Sequence, residues 1–250
     1  MPSASAATAR PTFVFLHYWA GAGHEWQAVA DLLAPDYRCL LPDLGGFGDA
    51  PAPAGGFSVD AYADSIAQLI ADEQLTRYVL VGHSMGGKFA LALAARQPAG
   101  LVGVALLSPS PPTPEPMTDE DRHDTLRAYG KPNEAAKTYA HITAQPHPDA
   151  IKQQIVGDNL RSSKAAYDAW MLHGSRENIA DRMGNVRVPC TILAGDQDQV
   201  MSPSVHGLET LPLLPTGTPL EIIGGAGHLL PYDAPQEVAI LLRSFVEFVQ

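Results

Sequence analysis

Short apolar runs alternate with amphipathic stretches along most of the chain. Six runs, at 12–16, 37–41, 78–81, 101–107, 190–194 and 220–223, are mostly continuous in apolar residues. Continuous rather than alternating hydrophobicity marks parallel strands covered on both faces. Between them lie helical patterns. Ser58 is a good N-cap, and Val59, Tyr62, Ala63, Ile66, Leu69 and Ile70 follow at helical spacing. Phe57 and Tyr62 are placed to close a hydrophobic staple over that cap. The last helix follows Pro235 and carries Val238, Leu241, Leu242 and Phe245 on one face. This alternation predicts an α/β fold: an open, mostly parallel sheet of about six strands with right-handed crossovers. Little chain precedes Pro11 for an additional hairpin, so the expected sheet is a reduced one.

The rhythm breaks after Leu107. Ser108-Pro109-Ser110-Pro111-Pro112-Thr113-Pro114 is stiff and incompatible with a helix. From Thr118 to about Met183 only helical patterns follow. Thr118 and Asp121 form a capping box, and Gly130 with Pro132 stops that helix. Further helices are expected at about 134–144, 149–156 and 164–173. The strand pattern resumes at Cys190. The reading is therefore a core domain made of 1–110 and 184–250, with 111–183 inserted as a helical cap. Such a cap would lie at the carboxyl ends of the strands, where ligands bind in open α/β sheets.

The chemistry concentrates in Val79-Leu80-Val81-Gly82-His83-Ser84-Met85-Gly86-Gly87. A β-prone run meets Gly-x-Ser-x-Gly, and a small-residue helix follows. Gly82 and Gly86 lack Cβ atoms, so strand and helix can approach closely while Ser84 takes strained backbone angles. The helix start aims N–H groups at the same point. Serine needs a base, and the base needs an orienting acid. Gly195-Asp196-Gln197-Asp198 follows the fifth run, and Gly224-Gly225-Ala226-Gly227-His228 follows the sixth. Both loops belong to the same sheet edge as Ser84.

With these motifs the chain resembles the α/β-hydrolase fold superfamily, from about Thr12 to the C-terminus outside the cap. The matching segments include His17-Tyr18-Trp19, Asp43-Leu44-Gly45-Gly46-Phe47-Gly48-Asp49, the Ser84 elbow, Gly195-Asp196-Gln197-Asp198 and Gly227-His228. Gly-His-Ser-Met-Gly-Gly-Lys, ending at Lys88, is similar to small bacterial esterases and their mitochondrial relatives. The resemblance implies Ser84 as nucleophile, His228 as general base and then acid, and Asp198 as the orienting acid. Asp196 is the rival, with a loop-stabilising or solvated carboxylate as its plain reading. The implied oxyanion donors are the backbone N–H groups of Met85 and Trp19. Two departures stand out. Tyr18 replaces the usual glycine after the histidine, which makes it a minor candidate donor or a pocket residue. Gly45 replaces the usual arginine.

The remaining residues narrow the picture. A net charge of −11 argues against nucleic acid or an anionic membrane as partner. Residues 1–10 carry no apolar run and read as neither signal peptide nor membrane span. Cys39 and Cys190 read as reduced core residues, which fits a cytoplasmic protein. His83 reads as packing against the sheet and His17 as bracing a loop. His24, His123, His147 and His206 read as ordinary surface or loop histidines. No metal-ligand spacing and no dinucleotide fingerprint is present, so no metal and no cofactor is expected. In the cap, Tyr139, His141, Tyr167, Trp170, Met171 and His173 are candidates for an acyl pocket or for a packed helix face. Trp170 is preferred, and Val200 and Met201 are candidates for a wall.

The expected function is a serine esterase or lactonase acting on a small-molecule substrate, as monomer or homodimer. The alternatives kept open are a cofactor-independent C–C hydrolase, perhydrolase or lyase using the same triad. A ligand receptor with a vestigial hydrolase site is the third. The serine argues against relatives that need a carboxylate nucleophile at the elbow.

Overall fold

The computed structural model describes residues 10–249; the polar stretch before Arg10 lies outside them. Among the described residues six parallel strands form one sheet in the order β2-β1-β3-β4-β5-β6. They are β1 (Thr12–Leu16), β2 (Cys39–Leu40), β3 (Tyr78–His83), β4 (Leu101–Leu107), β5 (Cys190–Gly195) and β6 (Leu220–Ile223). Successive side chains of a strand point to opposite faces. Accordingly Val14, Leu16 and Leu80 enter one core, while Phe13, Phe15, Val79 and Val81 enter the other. Helices α2 (Val59–Asp72) and α3 (Met85–Ala94) cover the first face, and α1 (Gln27–Leu33) and α8 (Pro235–Phe248) the second.

Two strand expectations are corrected, both at the sheet edges. β2 shrinks to two residues because Tyr37 is still tied to the end of α1, its N–H donating to Leu33 O. β6 is not covered on both faces: Glu221 and Ile222 are exposed, since an edge strand lies beyond the flanking helices. The Ser58 hydroxyl accepts from Ala61 N at 3.1 Å, which caps α2 as expected.

Between β4 and β5 the chain forms α4 (Asp119–Ala128), α5 (Pro132–Ile142), α6 (Asp149–Arg161) and α7 (Lys164–Leu172). Pro132 opens α5 as well as following α4, a first-turn position that needs no N–H. α6 continues through Gly157 to Arg161, beyond the expected stop, because Ile155, Asp158 and Asn159 are buried by tertiary packing. Among the described residues no helix is long and apolar enough to cross a membrane.

The chain order reverses between β1 and β3. β2 lies on the far side of β1, so the loops leaving β1 and β3 diverge and leave a crevice at their carboxyl ends. Leu16 pairs with Gly82, which sets the turn after Leu16 beside Ser84.

Candidate active site

Ser84 sits between β3 and α3 with φ 50° and ψ −116°. Such angles are unfavourable for a residue with a Cβ and persist only where the surroundings enforce them. Here the Ser84 N–H donates to Leu107 O at 2.9 Å, and its carbonyl accepts from Gly87 and Ser110 at 2.9 Å each. The two elbow glycines are required sterically. A Cβ on Gly82 would stand 2.6 Å from Gly86 O, and one on Gly86 would stand 2.4 Å from Leu16 O.

The loops after β5 and β6 bring Asp198 and His228 together. His228 Nδ1 lies 2.9 Å from Asp198 Oδ2, and both residues are buried. The other carboxylate oxygen accepts from the Val200 and Met201 amides at 2.8 Å each. Burial alone would raise the Asp198 carboxyl. His228 and the Met201 amide overcome it and hold Asp198 well below the usual carboxylate range. Asp196 is elsewhere: it is exposed and accepts from Gly225 N at 2.7 Å, stapling one loop to the next.

The turn after β1 is braced from within. Leu44 N donates to His17 Nε2 at 2.9 Å, which leaves the proton on Nδ1 to donate to Tyr18 O at 2.7 Å. The ring is fully buried, and that burial pushes its pKa down to about 4. Trp19 follows, its indole donating to Tyr167 O at 3.3 Å and its ring 4.3 Å from that of Tyr167. Among the described residues neither the Trp19 nor the Met85 backbone N–H has an acceptor.

Ser84, His228, Tyr18 and Trp19 line one cavity of about 540 Å³. Trp170, Val200 and Met201 line it too, as do Tyr139, His141 and Met171. Tyr167 packs behind Trp19 instead, and His173 is exposed on α7's far end. His206 is not a surface residue: it is fully buried, with neither ring nitrogen partnered. Burial holds its pKa near 4. His24 Nε2 lies 2.5 Å from Asp158 Oδ2, and His147 Nε2 lies 3.0 Å from Asp233 Oδ1. Cys39 and Cys190 are free thiols, raised by burial to about 11 and 12.

His83 is buried as expected, and three further polar residues near the site are buried as well. His83 is fully buried, donating from Nε2 to His228 O at 2.8 Å, with Glu25 Oε1 3.2 Å from its Nδ1. Lys88, also fully buried, donates to Thr113 O at 3.1 Å, and burial lowers it to about 8. Glu115 is buried at the cavity wall. A lysine within a helix otherwise made of small and apolar residues is a sequence signal for such burial. Glu25 and Glu115 lie in loops and carry no comparable pattern. Among the described residues no three ligand-type side chains cluster to hold a metal.

A family model for the alpha/beta hydrolase fold matches residues 11–166. The chain belongs to the α/β-hydrolase fold family. Within it, the chain is 30% identical over 251 residues to a 2-succinyl-6-hydroxy-2,4-cyclohexadiene-1-carboxylate synthase of Serratia proteamaculans, covering 95% of this chain and 93% of that one. It is 28% identical to the biotin biosynthesis bifunctional protein BioHC of Cellvibrio japonicus, covering 95% of this α/β hydrolase but 48% of that protein. Among solved structures, an esterase from Exiguobacterium antarcticum superposes with a TM-score of 0.86 at 23% identity, over 95% of this chain and 92% of that one.

Proposed function

We propose that this protein is a serine hydrolase that cleaves small carboxylic esters or lactones through an acyl-enzyme. The observation that carries the reading is the strained Ser84 elbow sharing one cavity with the buried His228–Asp198 pair. Ser84 Oγ attacks the carbonyl carbon while His228 Nε2 takes its proton. The negative charge formed on the carbonyl oxygen is met by the Trp19 and Met85 amides. Collapse breaks the ester bond, and His228 returns the proton to the leaving alcohol. Water, deprotonated by His228, then attacks the acyl-enzyme and releases the acid and Ser84. Asp198 holds the His228 tautomer, with the Nδ1 proton pointing at its carboxylate. Helices α4–α7 act as the cap that shapes the acyl pocket.

The synthase reading of the Serratia relative has less support. That protein is named for a product bearing a succinyl group and a ring carboxylate. Among the described residues no arginine lines the cavity of this chain, and its one lysine there, Lys137, is paired with Glu134 at 2.8 Å. An uncharged ester fits this lining better than a dicarboxylate.

The test is hydrolysis of short- and medium-chain p-nitrophenyl esters by the wild type beside Ser84→Ala. Turnover is expected in the wild type and should fall by about a million-fold in the variant. Folded wild type without serine-dependent turnover of these esters or of lactones sinks the reading.

A further inference from the structure

We propose that Glu115 is the specificity-determining group of the cavity: it takes a hydrogen-bond donor, ammonium or hydroxyl, on the substrate and turns carboxylates away. The proposal rests on the esterase reading for what is turned over, though not for what is bound.

Glu115 is 7% exposed and lines the cavity it shares with Ser84. Its backbone is clamped. The N–H donates to Ser175 O at 2.8 Å, and the carbonyl accepts from Arg122 at 3.3 Å. Pro114 and Pro116 on either side limit the backbone further. The carboxyl is therefore presented from a fixed point.

Among the described residues, no hydrogen bond or ion pair engages that carboxyl. The cations behind it are committed elsewhere. Lys88 Nζ donates to Thr113 O, and the Arg122 guanidinium donates to Met171 O and to Ser175 Oγ. The Ser110 hydroxyl stands beside the carboxyl, but it too lacks a partner at hydrogen-bond distance. Burial pushes the Glu115 carboxyl up, opposed by Ser110, Lys88 and Arg122. A buried carboxyl is unfavourable without a donor. Glu115 lines the cavity, so the substrate is the source of that donor.

The surroundings agree. Asp121 and Asp124 stand at the exposed rim, while Lys137 is held by Glu134. Trp170 lines the same cavity, and indole rings attract cations. A substrate carboxylate would meet Glu115 in a cavity that no arginine lines, while Lys88 and Arg122 are held behind the wall by Thr113, Met171 and Ser175.

The experiment compares kcat/KM for p-nitrophenyl esters of hexanoic acid, its ω-amino and ω-hydroxy analogues, and adipic acid. Wild type and Glu115→Gln are measured in parallel. The wild type should prefer the ammonium-ended over the carboxylate-ended ester by about tenfold or more, and the variant should lose most of that preference. The hydroxy ester reports whether a neutral donor suffices. A parallel loss for all four esters in the variant, or no preference in the wild type, overturns the proposal. If the variant does not fold, the wild-type preference decides. Calorimetric binding of the corresponding methyl esters to Ser84→Ala reads the same preference without turnover. Absent hydrolysis would therefore sink the esterase reading alone, while equal binding of the amino and carboxylate compounds would sink the Glu115 anchor.

Discussion

His83 donates its Nε2 proton to the backbone carbonyl of His228 across 2.8 Å. His83 is also the residue before Ser84, so one buried ring ties the serine's turn to the histidine's loop. Glu25 stands behind it, fully buried, 3.2 Å from Nδ1. His83→Leu removes the tie and leaves the His228 carbonyl without this donor. Small displacements of reacting groups cost on the order of a hundredfold in rate. A fall in kcat of about ten- to a hundredfold is expected, with KM moving less. His83→Gln, which keeps an N–H donor, should recover part of it. Steady-state ester kinetics on folded variants checks this; equal losses in both would mean that the ring only fills space.

Asp198 and Asp196 lie two residues apart in the loop after β5 and make different contacts. Asp198→Asn should lower kcat by roughly ten-thousand-fold, since the amide favours the wrong His228 tautomer. Asp196→Asn keeps an oxygen for the Gly225 N–H and should stay within about threefold of wild type, because the residue is exposed and its carboxylate is engaged by Gly225. Comparable losses in the two variants would reject the assignment of Asp198.

Gly86→Ala introduces a Cβ 2.4 Å from Leu16 O, an immobile strand carbonyl. Overpacking of this kind typically costs about 1–3 kcal/mol. At about 2–4 °C per kcal/mol for a domain of this size, Tm should drop by about 5 °C or more. Differential scanning calorimetry decides it, and an unchanged Tm would show that α3 and β1 can separate freely.

His17 and His206 are folded in their neutral forms, both lowered by burial to about 4 from 6.5. The unfolded chain therefore takes up protons first as pH falls. Each group's contribution is complete above about 6.5 and is lost progressively toward pH 4. The shift of about 2.5 units corresponds to roughly 3 kcal/mol per ring at full extent. His206→Leu removes one ring that has no hydrogen-bond partner. The difference in Tm between about pH 7.5 and pH 4.5 should narrow by about 5 °C. Parallel acid curves for wild type and variant would mean His206 is not a source of the acid sensitivity.

The sequence by itself determined the strand count, the helical segment between β4 and β5, and the serine elbow. Each is local. Continuous apolar runs, helical spacing and the steric needs of Gly82 and Gly86 are written in neighbouring residues. The same holds for the order Ser84, Asp198, His228, because each follows directly from the end of a strand. Only the tertiary structure shows that Asp198 meets the His228 ring while Asp196 meets Gly225 N, since two carboxylates in one loop differ only in what faces them. It alone decided the edges of the sheet, where β2 and β6 lose cover that their apolar residues lead one to expect. It also decided the fate of the buried polar residues. His206 reads as a surface residue and is enclosed; Glu25 and Glu115 give no sequence signal and stand behind His83 and in the cavity wall. Their partners are far away in the chain or come from the cavity itself, and such distant contacts leave no periodicity to read.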